Sequence, residues 1–335
     1  MVAGQDAPRR EGTSGRPRVV VYDPLSWVIP DWSYDVERGI LEPRGVQLLV
    51  PKDEAESDAA IVDADVVITG ATRGQLDASV IATLKNCVGI LCYSIGMNQV
   101  DHDAARAAGI PVTNVPFCVD EVSDHALTLL LMAERRALAI ANRAAVGDWG
   151  FSTSPEYTQI RRLRGRTLGI IGVGRIGKEV ARKARVFGYR ILGYDPNVSD
   201  PGDPHIEMLP LNMVMRQADA IVTCADLNPT SVGVVGRSSL DSVRTGTILV
   251  NIARGGLVDE EALAEAIRDG RIAVAALDVR APEPPNPDND PLAGLPNLIL
   301  TPHMAGASVE AREALHLMAA EASLKLLTAA GRLTA

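Results

Sequence analysis

The chain predicts an α/β protein built on two doubly wound parallel sheets, and three observations carry that expectation. Short runs rich in Val and Ile alternate with polar stretches of helix length, which is the pattern of parallel strands joined by crossover helices. The alternation occurs twice, with a long Ala- and Leu-rich stretch between the two series. Finally, 335 residues with 47% hydrophobic and 22% charged side chains suit about two domains, each with its own core.

Residues 1–16 are rich in Gly, Pro, Arg and Ser without periodicity and read as a disordered tail. The first series of strands then follows at Val19–Tyr22, Gln47–Val50, Val66–Thr69, Val88–Cys92 and Val112–Asn114. The stretch "VDEVSDHALTLLLMAERRALAIANRAAVGDW" reads as one extended helix opening a second domain, with acidic residues near its start and arginines further along. A second series supplies six strands: Thr167–Ile171, Arg190–Tyr194, Ala220–Cys224, Thr247–Asn251, Ala273–Leu277 and Leu298–Leu300. The closing stretch "SVEAREALHLMAAEASLKLLTAAGRL" is helical, too short to be a domain, and must pack on something already built.

The most informative stretch is "TLGIIGVGRIGKEVARKARVFGYRILGYDP". Gly172-x-Gly174-x-x-Gly177 follows an apolar strand and opens a helix, and an acidic residue, Asp195, ends the next strand near the offset of about 20 residues used by dinucleotide-binding units. Gly172 permits the tight turn, Gly174 lets the backbone approach a pyrophosphate, and Gly177 lets helix and strand pack closely. Arg175 and Ile176 begin the helix, whose first N–H groups and dipole favour an anion. Asp195 is placed to accept hydrogen bonds from the adenosine ribose hydroxyls and to repel a 2′-phosphate. The expectation is a Rossmann domain that takes NAD, with NADH preferred over NADPH.

Further polar residues lie just past strand ends of the same sheet. Arg254 follows "TILVNIA", Glu283 follows "VAALDVRAP", and His303 follows "NLILTP", so all three can converge on one crevice, because open α/β sheets bind ligands outside the carboxyl ends of their strands. Arg254 offers a planar fork suited to a carboxylate. An imidazole donates or accepts a proton near neutrality, and a carboxylate beside it orients the ring and stabilises its charged form. Together these residues could bind a carboxylate and move a proton beside it.

The segments "LRGRTLGIIGVGRIG", "LVNIARGGLVDEEALAEAI", "AALDVRAPEP" and "NLILTPHMAG" together resemble the successive motifs of the D-isomer-specific 2-hydroxyacid dehydrogenases over residues 18–332. The resemblance implies a flavodoxin-like substrate domain, residues 17–117 with 305–335, and a Rossmann NAD-binding domain, residues 118–304. It implies catalytic roles for Arg254, Glu283 and His303, and cofactor contacts from Ala253 and Asp278, the latter near the nicotinamide amide. "CYSIGMNQVDHDAARAAGIPVTN" is similar to the family's glycine turn in its phosphoglycerate dehydrogenase branch. That similarity implies that the Ile95 and Gly96 N–H groups hold the substrate carboxylate with Asn98 nearby. "VPFCVDEVSDHALTLLLMAERR" and "SWVIPDWSYDVER" resemble instead the C-terminal-binding-protein branch.

Three departures qualify the match. In "ITGATRGQL", Arg73 is present, but Ala71 stands where phosphoglycerate enzymes place another basic residue, so a phosphorylated substrate is not expected. No extension follows Ala335, so feedback through an appended regulatory domain is not expected. Cys224 stands where the family often carries His. Trp27 and Trp32 are conspicuous in a chain with 4% aromatic residues and are candidates either for lining the pocket or for the core.

The remaining expectations come from composition. A net charge of −9 argues against a nucleic-acid partner. No apolar stretch approaches the roughly 20 residues of a membrane-spanning helix, and the N-terminus lacks a signal-peptide core, so a cytoplasmic protein is expected. The four cysteines, Cys87, Cys92, Cys118 and Cys224, show neither CxxC nor metal-ligand spacing, so neither a metal nor disulfides are expected. The leading reading is an NAD-dependent oxidoreductase of 2-oxo and (R)-2-hydroxy acids that dimerises through its NAD-binding domain. The alternative is an NADH-sensing corepressor or binding protein of the C-terminal-binding-protein kind with little turnover. Formate and phosphite dehydrogenases share the fold; Glu283, in place of the Gln that formate enzymes carry beside their His, disfavours formate, and phosphite is disfavoured only weakly.

Overall fold

A computed structural model describes residues 15–70, 74–150 and 155–334. Most of the expected tail, and both Ala71 and Arg73, lie outside the described residues. The chain divides into two compact units. One runs through Cys118 and resumes at Ser308; the other is Val119–Ala307.

The first unit contains β1 (Arg18–Val21), α1 (Asp35–Leu41), β2 (Gln47–Leu49), α2 (Glu54–Ile61), β3 (Val66–Thr69), α3 (Ala78–Ile81), β4 (Gly89–Cys92), α4 (His102–Ala107) and β5 (Val112–Asn114). All five strands are parallel in the order β2-β1-β3-β4-β5, the flavodoxin-like winding. Alternate residues feed opposite faces, as strand geometry requires. Val19, Val21, Val66, Ile68 and Leu91 point to one core, and Val20, Val67, Ile90 and Cys92 to the other.

The second unit contains α5 (Val119–Glu134), α6 (Ala137–Ala145), β6 (Thr167–Ile171), α7 (Arg175–Val186), β7 (Arg190–Tyr194), β8 (Ile206–Met208), α8 (Leu211–Gln217), β9 (Ala220–Thr223), α9 (Arg237–Leu240), β10 (Thr247–Asn251), α10 (Glu260–Arg268), β11 (Ile272–Leu277) and β12 (Leu298–Leu300). Its sheet is wholly parallel in the order β12-β11-β10-β9-β6-β7-β8, a Rossmann winding with one added edge strand. The winding reverses between β6 and β9. The chain then returns to the first unit as α11 (Val309–Ala329), capped by Ser308, whose hydroxyl accepts from the Ala311 N–H at 2.8 Å. Leu315, Ala319, Leu324 and Leu327 of α11 cover one face of the first sheet.

Two expectations need correction. The long helix is broken: α5 ends at Glu134, and Arg136 adopts φ +53° before α6 begins. Sequence propensity is unbroken here, but tertiary bonds decide the geometry. Buried Glu134 accepts from Arg166 Nε at 2.9 Å and Tyr189 Oη at 2.8 Å, while Arg136 Nη1 reaches the Ala273 carbonyl at 2.9 Å. The second sheet also has seven strands, not six. The missed strand, Ile206–Met208, is a short edge strand with a Glu at its centre, so no apolar run betrays it.

Candidate active site

Backbone register builds the site. Ile171 pairs with Tyr194 and Thr223, Asn251 with Thr223 and Leu277, and Leu277 with Leu300, so six strands end on one row. The residues that follow each strand therefore share one edge of the sheet. They include Gly172, Asp195, the loop to Arg254, Asp278 and the loop to His303.

At the first of these turns Gly172 has φ +95°, and a Cβ there would lie 2.4 Å from the Ala225 backbone N. A Cβ on Gly177 would lie 2.1 Å from the Gly172 carbonyl, so α7 can start this close to β6 only without a side chain. Gly174 differs: a Cβ there would meet no protein atom within 4 Å. Packing of this chain does not explain that glycine, whereas a ligand backed against the start of α7 does. The residues fit a dinucleotide in this respect, since Gly174 and Arg175 are exposed and the first N–H groups of α7 face outward. Asp195 sits half-buried beside them, accepting from Val173 N–H at 3.0 Å and Asn197 N–H at 2.9 Å. It therefore pins the glycine turn as well as being available at its edge. Cys224, in the adjacent turn, has its thiol pushed up to about 12 by burial.

Arg254 is carried by a loop that buried Asn251 shapes. Its side chain donates to the Arg254 carbonyl at 2.9 Å and accepts from the Ala253 N–H at 3.2 Å and Thr223 Oγ1 at 2.6 Å. The following Gly255 passes so close to the neighbouring loop that a Cβ would lie 1.9 Å from the Arg280 carbonyl. Arg280 is itself buried, its fork held by Glu260 at 2.9 and 2.8 Å and by Asp290 at 2.6 Å. Its backbone N–H donates to Glu283 Oε1 at 2.9 Å.

The other oxygen of Glu283 lies 2.8 Å from His303 Nδ1. Burial alone would push the Glu283 carboxyl up. Hydrogen bonds from His303 and the Arg280 N–H, together with the positive charges of His303 and Arg254, outweigh burial and hold it below the usual carboxylate range. An anionic carboxylate only accepts, so Nδ1 carries the hydrogen of this bond and Nε2 is the nitrogen left for chemistry. The side chain of His303 is 50% exposed, which keeps that nitrogen accessible. Its backbone is strained, with φ +55°, a conformation that costs a non-glycine residue about 1–3 kcal/mol. Asp278 imposes it. Its carbonyl accepts the His303 N–H at 2.8 Å, and its carboxylate accepts from Thr301 Oγ1 at 2.6 Å, Met304 N–H at 2.9 Å and Ala305 N–H at 2.9 Å.

In the first unit, Tyr93 follows β4 and leads into the turn containing Ile95, Gly96 and Asn98. Ser94 Oγ donates to the Gly96 carbonyl at 2.7 Å, and Asn114 Nδ2 donates to the Ile95 carbonyl. Both carbonyls are tied inward, and among the described residues neither the Ile95 nor the Gly96 N–H finds an acceptor. Asn98 is exposed at the tip.

Residues 127–305 match the model of the NAD-binding domain of D-isomer-specific 2-hydroxyacid dehydrogenases. The chain belongs to this family. It is 36% identical to the D-3-phosphoglycerate dehydrogenase of Archaeoglobus fulgidus over 266 residues, 78% of this chain but only 47% of that protein. The chain thus spans about half the length of that relative. It is 35% identical to the glyoxylate reductase of Korarchaeum cryptofilum over 278 residues, 81% of this chain and 83% of that one. Its structure is similar to a glyoxylate reductase from Paecilomyes thermophila, with a TM-score of 0.83 and 26% identity over 95% of this chain and 97% of that one.

Within the second unit the three residues read as a trio occupy loops after adjacent strands β10, β11 and β12, and the glycine turn and Asp195 follow β6 and β7. Asp278 also has a structural role: its two carboxylate oxygens accept from the Thr301 hydroxyl and from the Met304 and Ala305 N–H groups of the loop that carries His303. Four supporting groups escaped the sequence reading: Asn251, Arg280, Glu260 and His125, whose Nε2 lies 3.0 Å from Thr301 Oγ1. Asn251 had a signal, being the first residue of the "NxxRG" motif. The others join residues distant in sequence and had none. Trp27 Nε1 donates to the Pro51 carbonyl at 3.0 Å, and Trp32 packs on the core of the first unit.

The lowered carboxyl of Glu283 has a consequence for stability. A carboxyl whose folded value is depressed contributes stability above its unfolded value, and that contribution is lost as pH falls through the folded one. The urea midpoint of the parent should therefore exceed that of Glu283→Gln near about pH 7, with the margin closing below about pH 4 as the carboxylate is protonated in both states. A margin that persists undiminished in acid would show that His303 and Arg280 do not hold an anion there.

Proposed function

We propose that the protein is an NAD-dependent oxidoreductase interconverting a 2-oxo acid and an (R)-2-hydroxy acid. The observation that carries this reading is the 2.8 Å pair of His303 Nδ1 and Glu283 Oε2, which leaves Nε2 open on the edge of the sheet that also bears the glycine turn and Arg254. Arg254 binds the substrate carboxylate through its fork and polarises the neighbouring carbonyl. Bound NADH supplies the hydride to the carbonyl carbon. His303 Nε2 gives its proton to the carbonyl oxygen, and in the reverse direction the neutral imidazole takes that proton back. Glu283 orients the ring and stabilises the imidazolium between these events. Ile95 and Gly96, whose N–H groups find no acceptor among the described residues, and Asn98 at the same turn are suited to a carboxylate. The glycine turn of Gly172, Gly174 and Gly177 with the N–H groups of Arg175 and Ile176 takes the pyrophosphate, and Ala253 and Asp278 border the nicotinamide end.

Asp195 selects NAD by accepting from the ribose hydroxyls and repelling a 2′-phosphate. The reaction is assigned to the cytoplasm, a reducing compartment in which Cys87, Cys92, Cys118 and Cys224 would remain thiols. A second copy of the chain is proposed to cover α6 and the residues after it. No residue of α6 is buried, and Val146 is 83% and Trp149 82% exposed, an apolar surface suited to a symmetric dimer.

Turnover is tested by NADH oxidation against a panel of 2-oxo acids. With an accepted substrate, His303→Ala should lower kcat by about 10²–10⁴-fold while leaving NADH affinity almost unchanged. NADH binding without turnover on any member of the panel would favour an NADH-sensing binding protein. Cofactor choice is read from the same assay: the parent should prefer NADH, and Asp195→Ala should erode the preference, whereas a parent that works as well with NADPH defeats the role given to Asp195. Light scattering should give twice the chain mass, and a monomer at micromolar concentration would overturn the dimer.

A further inference from the structure

The first unit buries a group of ionisable side chains that the reaction above does not use. Glu37 on α1 is 0% exposed, and Tyr93 and His316 are 4% and 6% exposed. The Tyr93 hydroxyl donates to the Glu37 carboxylate. His316 Nδ1, on α11, lies 2.8 and 3.0 Å from the two Glu37 oxygens and 2.7 Å from the Tyr93 oxygen. Burial, reinforced by the charge of Glu37, pushes the Tyr93 phenol far above its ordinary range, so it remains a donor. The ring centroids of Trp32 and His316 are 5.0 Å apart, and the Arg312 guanidinium sits 4.6 Å from the centroid of the Trp32 ring. Tyr34 belongs to the same cluster, 6.0 Å from Tyr93, and its hydroxyl accepts from the Leu25 N–H at 2.8 Å.

Stability does not call for this arrangement. A buried carboxylate is costly to desolvate, and well-packed apolar side chains of similar volume commonly serve a core as well or better. Position distinguishes the group. Tyr93 is the last residue before the turn in which Ser94 and Asn114 tie down the Gly96 and Ile95 carbonyls, and Gln99 Nε2 in turn donates to Ser94 Oγ at 2.8 Å. Trp32 and Tyr34 close the segment that follows β1, so the network joins two strand-end loops of the parallel sheet to the start of α11. Open parallel sheets present ligand contacts from such loops.

We propose that Glu37, His316 and Tyr93 are positioning residues for the 2-oxo acid: by fixing Tyr93 they set the direction in which the Ile95 and Gly96 N–H groups meet the substrate carboxylate. The inference rests on the reading that this turn holds that carboxylate. It predicts an effect on substrate affinity that is separate from hydride transfer, because all three belong to the first unit and none is among the residues assigned to proton transfer or cofactor binding.

The test compares the parent with Tyr93→Phe, which removes one oxygen and keeps the ring, and with the double variant Glu37→Met/His316→Leu, which keeps the core filled. KM for a reducible 2-oxo acid should rise about tenfold in both, the scale of a misdirected charge-assisted contact, with kcat within about twofold and the NADH dissociation constant unchanged. KM within about twofold of the parent in either variant that retains a cooperative thermal transition overturns the proposal, because packing alone then explains the cluster. Tyr93→Phe supplies the answer should the double variant fail to fold. Oxamate, an unreactive 2-oxo acid analogue, is titrated calorimetrically onto the NADH complex of each protein. If the parent reduces no 2-oxo acid, the functional reading fails, yet oxamate still tests this one. Weaker oxamate binding by Tyr93→Phe supports it, whereas equal binding, or none to the parent, overturns it.

Discussion

The buried carboxylate of Asp278 is the constraint on which the candidate site depends. An anion in a protein interior is tolerated only when it is well partnered, and here two N–H groups and a hydroxyl from the loop that carries His303 bond it, with His125 Nε2 of α5 at 3.3 Å. The carboxylate therefore acts as a template for that loop. Its partners must converge on two oxygens a fixed distance apart, and the backbone reaches them by turning His303 into the left-handed region. Strain at one residue is offset by several charge-assisted hydrogen bonds, and the ring projects in one direction.

The remaining loops on this edge are held to each other by a second constraint, close backbone approach. Where Gly255 passes Arg280 and Gly172 passes Ala225, the gap has no room for a methyl group. Loops so fitted cannot shift independently, and this matters for a trio whose members come from three different strand ends. Catalytic geometry is sensitive to displacements on the order of 1 Å. The buried fork of Arg280, clasped by Glu260 and Asp290, adds charge-assisted rigidity to the segment that ends at Glu283.

What the sequence disclosed and what it withheld follow the same physical division. Strand runs, the glycine spacing and the acidic strand end were legible because each is a local pattern imposed by backbone geometry. The trio was legible because parallel strands deliver their carboxyl ends to one edge, so a polar residue just past an apolar run announces itself. The break at Arg136 was not, since it is set by partners at Glu134, Arg166, Tyr189 and Ala273 that lie far apart in sequence. Strand Ile206–Met208 was lost because an edge strand need not be apolar throughout. Asp278 was legible as a strand-end carboxylate, but its bonds to Thr301, Met304 and Ala305 were not, because strand-end position alone does not say which way a carboxylate turns.

The first unit is discontinuous in sequence, and α11, which covers one face of its sheet, follows the whole of the second unit. Synthesis on the ribosome thus reverses the usual order in which domains mature. The Rossmann unit has every strand of its sheet available before α11 is made, whereas the earlier-born sheet waits with Val19, Val21, Val66 and Ile68 only partly covered, by Tyr34 and Leu41. That half-finished layer is the chain's exposure to aggregation during its own production. The arrival of Leu315, Ala319, Leu324 and Leu327 ends it, and the same step delivers His316 to Glu37 and Tyr93.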